Sequence, residues 1–373
     1  MFYIGHPFSY QRIMIKNFIL LSLLLIVTYG SMAQEVFPYL DNRDYFKSFH
    51  EGRSTQLDHL KPIDVKFSEH IIAFIDNKSD LIIFDGVKTE KLSGLANDYK
   101  IGLNLVAWNT GPVVYVWDDG FKQILTHFGR GYAVSDSLVV FEDIRDNAVR
   151  VYYNGQIHDL YYSVSDIYLP QHIGSNTVAF QGNGNVNYAF ISGEIVEIGV
   201  FNEYIHYAPG GNLIAFNDPF NQSFAVVFKD EVVDVEPTMV QSYKTGYDMI
   251  VYLDRNNNLK GYIDGELVTL SSYASSYEVF RDMVVWIENG VLYTFNKGRR
   301  YEIANYVPEE YKIREGIVAF RNLNGGVSVF HNNEVEIVSN LTGAPFEVNG
   351  NTVKVTVHRG NYIFFKNGYS YQH

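Results

Sequence analysis

The run MIVYLDRNNNLKGYIDGELVTL (249–270) gathers residue types that can hold calcium: Asp254, Asn256 and Asn258 at alternate positions, with Glu266 downstream. A calcium loop of the EF-hand kind puts side-chain oxygens at positions 1, 3 and 5, a glycine at 6 and a bidentate glutamate at 12. Counted from Asp254, position 6 is Leu259 and position 12 is Gly265, so Glu266 falls one residue late. The flanks are strand-like rather than helical. Asn and Asp also suit turns, because their side chains bond the local backbone and tolerate left-handed conformations. The run therefore reads as a turn between two strands, and neither a metal nor a cofactor is expected there.

Other chemistry is sparse. Histidines are scattered and form no H-x-H or H-E-x-x-H arrangement, so a metal hydrolase is not indicated. A G-x-S-x-G nucleophile elbow is missing, and GNGNVN (182–187) reads as a hairpin turn rather than a phosphate loop. The acid pairs Asp118/Asp119 and Glu142/Asp143 are the carboxylates to weigh for glycoside hydrolysis, which needs two acids about 5 to 10 Å apart across a sugar. Spacing along the chain does not place them so, and they are expected to be solvated turn acids. Tyr115, Trp117, Tyr152 and Tyr153 form the densest aromatic cluster near a turn and are the candidate binding residues for a sugar or a protein surface.

Composition limits the class. The chain has no cysteine, hence no thiol nucleophile and no disulfide framework. Residues 14–34, MIKNFILLSLLLIVTYGSMAQ, show a basic start, an apolar stretch from Phe18 to Val27 and small residues at Ser31 and Ala33, the layout of a secretory signal peptide. A leader over 1–33 is expected, with Met14 a candidate true start. Its SMAQ ending resembles signal peptides of Bacteroidota. Removing it takes away Arg12, Lys16 and no acid, so the net charge moves from −13 to −15. Phosphate backbones are held by clustered Lys and Arg, and this sequence shows no such cluster. No nucleic acid partner is expected, and no transmembrane segment after cleavage.

The elements that must position any site are set by an internal repeat. HIIAFIDNKSDLIIFDGVKTEKL (70–92), NLIAFNDPFNQSFAVVFKDEVVDV (212–235) and GIVAFRNLNGGVSVFHNNEVEIV (316–338) share one plan of three strands and two turns. The aromatic that ends the first of these strands recurs at Phe74, Trp108, Phe141, Phe180, Phe216, Tyr252, Trp286 and Phe320, then weakly at Val355. The steps are 34, 33, 39, 36, 36, 34, 34 and 35. A tight turn keeps the same period, as at Asp85-Gly86, Asn154-Gly155, Asp264-Gly265 and Asn367-Gly368. A further short strand precedes each unit, often opened by Tyr, as in YKIGLN (99–104), GYAVSD (131–136), YEVFRD (277–282) and YKIREG (311–316). Four short strands per roughly 35 residues, with no amphipathic helix, predict an all-β fold: a single β-propeller over 34–373 of eight to ten blade-sized units, with a weak copy at 38–57.

The hIAF…hhhF-D-G…L pattern resembles the WD40-like repeats of TolB-type propellers across the mature chain. The units are short for that family, and its Ser-Pro-Asp-Gly turn is missing, APGGN (208–212) being the nearest approach. Such propellers host unrelated functions. The expected role is binding or scaffolding, of an envelope or extracellular protein or of a glycan, in the periplasm or outside the cell. The alternative is a polysaccharide-active hydrolase or lyase with its acids in the propeller channel.

Overall fold

A computed structural model describes residues 34–296 and 298–373; the expected leader, residues 1–33, lies outside them. The described residues form ten antiparallel sheets in chain order, nine with four strands and the first with three. They are blades 1 (37–58), 2 (64–93), 3 (98–126), 4 (129–162), 5 (172–200), 6 (207–236), 7 (242–271), 8 (276–304), 9 (311–339) and 10 (346–372). In each four-stranded blade the first strand is innermost and touches its counterparts in neighbouring blades, while the last is outermost and largely exposed. Ten blades is the upper end of the expected range.

The local reasons are those of a strand protein. The second strand of each blade is buried on both faces, between two neighbouring sheets, and so reads as a continuous apolar run: Ile72–Ile75, Leu138–Asp143 and Met249–Leu253 are almost wholly buried. Most hairpin turns between third and outer strands have positive φ at both central residues, as at Asp264 (52°) and Gly265 (87°), which Asp and Gly supply at little cost. Each interface between blades is its own apolar cluster; Tyr99 and Trp117, for example, join Ala73 and Leu92 between blades 2 and 3.

Blade 1 lacks the inner strand, which explains why its copy of the repeat is weak. Its sheet begins with Phe37–Leu40, packed against blade 10 through Phe49 and Phe364, whose rings stack 4.2 Å apart. The ring closes without exchanging a strand between the chain ends. Asn349 of blade 10 reaches over the gap and donates to the carbonyls of Val36 (2.8 Å) and Ser68 (2.7 Å), so blades 10 and 2 meet where the missing strand would lie. Lys366 adds ion pairs to Glu51 (2.6 Å) and Glu35 (3.2 Å) across the same seam.

Candidate functional site

Antiparallel order puts the turns after the inner strands on one face of the ring and the links between blades on the other. Chemistry-bearing residues gather at both. On the first face the turns after the inner strands approach so closely that backbone bonds join neighbours: Gly211 N donates to Gly246 O, Asn212 N to Tyr247 O and Tyr247 N to Arg281 O, at 2.9 to 3.0 Å. Glycine is needed for that approach, since a Cβ on Gly246 would lie 1.7 Å from Arg281 O.

These turns carry a cross-ring ion cluster. Arg281 of blade 8 is buried and donates to Glu69 of blade 2 (2.6 Å) and Glu315 of blade 9 (2.9 Å), with Asp136 of blade 4 at 3.7 Å. Tyr247 of blade 7 donates to Asp136 (2.7 Å). Burial pushes the Glu69 carboxyl above the usual range, and Arg281 only partly offsets it. Burial likewise opposes the Arg281 charge, yet Glu69 beside it keeps that charge in place. Carboxylates do converge at the axis, but one guanidinium clamps them. This hub is a lock, and its acids already have the partner a substrate would have to displace.

The opposite face is irregular at blade 5. In blades 3, 4 and 6 to 9 the strand-opening aromatic stands opposite the second-strand aromatic, as Tyr99 does opposite Trp108 and Tyr243 opposite Tyr252. Continuing the register His172↔Ala179 puts Gln171 opposite Phe180. The inner strand there is reduced to His172–Ile173. In blades 2, 3, 7 and 8 the residue two before the inner-strand member of that pair closes the sheet edge, as Asn97 N does to Asn109 O and Gln241 N to Leu253 O. The equivalent donor, Leu169 N, instead bonds the buried Glu142 carboxylate (3.1 Å). Glu142 is held by Arg130 Nε (2.8 Å), and Arg130 also donates to Ile167 O. This pair draws the link 163–171 away from the edge, and a cleft of about 520 Å³ opens over Phe180 and Gln181.

Aromatics and amides line this cleft: Tyr161, Phe180 and Tyr207 within, Tyr168 and Tyr204 on exposed lips, with Gln171, Gln181, Asn185, Asn187 and Asn202 between. The Tyr161, Phe180 and Tyr188 rings stack in a row. His172 bonds the Tyr204 hydroxyl (3.0 Å), and burial, then His206, holds it below the usual histidine range. Tyr207 is buried, and its hydroxyl has no hydrogen-bond partner among the described residues. Its counterparts each find one in the preceding blade, as Tyr132 does in Asp98 (3.3 Å) and Tyr277 in Ser242 (2.9 Å). Glu203 is the one carboxylate among the lining residues, which include no lysine or arginine.

The candidate aromatics are not brought together at a surface. Trp117 and Tyr152 are buried in separate interfaces, with Tyr152 donating to Asp118 (2.8 Å). Tyr115 stacks on Trp108 at 5.2 Å, and Tyr153 packs edge-on to Phe190. The expectation of solvated turn acids is corrected for Glu142 and Asp143: both are buried, and Asp143 accepts from Thr126 (2.8 Å) and Arg150 (2.9 Å). Sequence reasoning missed the hub and the cleft alike. The signals for the cleft were the step of 39 before Phe180 and the Gln in QHIGSN (171–176) where YKIGLN has Tyr.

Asp254 ends up in a turn. Its carboxylate accepts from Asn256 N (2.8 Å), Asn258 N (2.9 Å) and Asn258 Nδ2 (2.8 Å), with Lys260 at 3.2 Å. Asp76, Asp218 and Asn322 cap the matching turns of other blades in the same way.

Ten radially arranged sheets define a ten-bladed β-propeller. The chain belongs to the 10-bladed beta propeller domain family, whose model matches residues 30–371. None of the curated proteins compared matches it. Among solved structures it is similar to apo AztD from Citrobacter koseri, at 10% identity over 83% of this chain and 92% of that one, TM-score 0.35. It is similar too to the CRINKLY WD40 ectodomain of the Arabidopsis thaliana receptor kinase ACR4, at 10% identity over 76% and 96%, TM-score 0.30. Likeness at this level says nothing of function. No helix among the described residues is long and apolar enough to cross a membrane.

Proposed function

We propose that the chain is an exported, non-catalytic binding propeller that recognises a protein or glycan of the cell envelope or its surroundings, through the cleft over blade 5. The carrying observation is the composition of that cleft. Recognition sites combine aromatic surface with a few placed polar groups, and this cleft has both. Hydrolysis of a glycosidic bond needs two carboxylates flanking it, whereas Glu203 alone lines the cleft and Arg281 clamps the acids of the hub. Export is read from the leader-like segment 14–34. The test is incubation of the mature chain with a panel of envelope and extracellular polysaccharides, followed by chromatography of products and of retained glycan. Retention without new products supports the reading; release of shortened or unsaturated fragments overturns it.

A further inference from the structure

We infer that the blade 5 cleft binds a neutral saccharide of one or two rings, seated between the Tyr168 and Tyr204 lips. This inference rests on the binding reading above and adds the ligand class. A volume of about 520 Å³ lies within the span of small-molecule sites, ~300–1,000 Å³. That volume suits a mono- or disaccharide rather than a protein surface. Sugar rings offer an apolar face for tyrosine stacking and rows of hydroxyls that act as both donor and acceptor. Side-chain amides answer those hydroxyls with both functions at once, and five amides line the cleft.

Two polar groups at the cleft strengthen the case. The Tyr207 hydroxyl is buried at the wall without a partner, and buried polar groups of this kind are normally bonded. The Gln181 carbonyl lacks the backbone donor that Asn109 and Leu253 have, because Leu169 N is turned to Glu142. A hydroxylated ligand supplies donors where the fold withholds them. Charge narrows the class further: with Glu203 in the lining and no cation there, a uronate or phosphate is disfavoured. A peptide added as a strand is disfavoured too, since the uncovered edge is only Phe180 and Gln181.

The experiment is calorimetric titration of the full mature chain with cello-, malto- and manno-oligosaccharides and with their uronate counterparts, beside Gln171→Tyr and Tyr204→Ala. Gln171→Tyr restores the repeat's aromatic and fills the cleft; binding should vanish while the melting temperature holds or rises. Tyr204 is exposed, so its loss should leave folding intact and weaken binding about tenfold. Binding of a neutral oligosaccharide with both losses supports the inference. No saccharide bound, uronates bound more tightly than neutral sugars, or binding indifferent to both substitutions overturns it. Cleavage of the titrated oligosaccharide is the separate outcome that overturns the non-catalytic reading itself.

Discussion

The hub and the cleft are made from opposite ends of the same element, the inner strand, and they treat polar groups in opposite ways. At the hub, the turn following each inner strand is pulled tight against its neighbours. Glu69, Asp136 and Glu315 share the cation of Arg281, and Tyr247 donates to Asp136. At the cleft, the approach to one inner strand is drawn aside: the Tyr207 hydroxyl has no partner among the described residues, and the Gln181 carbonyl loses the Leu169 amide to Glu142. Satisfied charge makes a joint; unsatisfied polarity beside aromatic rings makes a receptor. The acids a reader would first assign to catalysis are the ones the fold has already bound.

Targeted substitutions and a pH series test that contrast. The largest effect is expected at the hub. Arg281→Met leaves Glu69 buried without a partner and should cost about 3–5 kcal/mol in urea unfolding. The double variant Arg281→Met/Glu69→Leu should recover most of that loss, since replacing a buried pair is far milder than halving it. A single variant that melts like the parent would show the cluster to be incidental. Gly246→Ala comes next, at about 3 kcal/mol, because its Cβ would overlap the Arg281 carbonyl.

Acidification should follow. Burial holds His50, His70, His172, His331 and His373 below the ordinary histidine range. Unfolded histidines titrate near ~6.5, so this preference for neutral rings gives stability that is fully present above that pH and is lost as pH falls through the lower folded values. Glu69 and Asp118, both raised by burial, work in the opposite direction but are outnumbered by the five histidines. The melting temperature should therefore fall between about pH 7 and 5; a flat or rising profile would contradict the burial of these rings.

Asp254→Ala should cost only about 1 kcal/mol, the loss of a turn cap, with the same melting temperature in calcium and in chelator. Calcium-dependent melting of the parent that disappears in this variant would reinstate a metal site. Gln171→Tyr should have the smallest effect on stability, within about 0.5 kcal/mol of the parent.

Much of the fold was legible because two markers kept one period. Aromatics such as Phe216 and Tyr252 must recur where sheets pack face to face, and Asp264-Gly265 must recur where a two-residue hairpin needs positive φ. Blade 1 was faint for a physical reason, the absence of its inner strand. The hub was hidden because Arg281 lies 34 and 212 residues from the acids it binds and each member looks like an ordinary turn residue. The cleft left traces at Gln171 and in the long step before Phe180. Its opening depends on a side chain in the preceding blade, Glu142, taking the Leu169 amide, which no spacing along the chain discloses. Trp117 and Tyr152 show the converse: a dense aromatic run that packs into two different interfaces.

The contrast between lock and receptor is tested most directly by hydrogen exchange on the mature chain, alone and with the tightest-binding neutral oligosaccharide. The amides of Gly211, Asn212 and Tyr247 should exchange only through global opening in both states, and ligand should slow exchange in 163–173, 181–187 and 201–207. Fast exchange at Tyr247, or ligand protection centred on the Arg281 cluster, would contradict it.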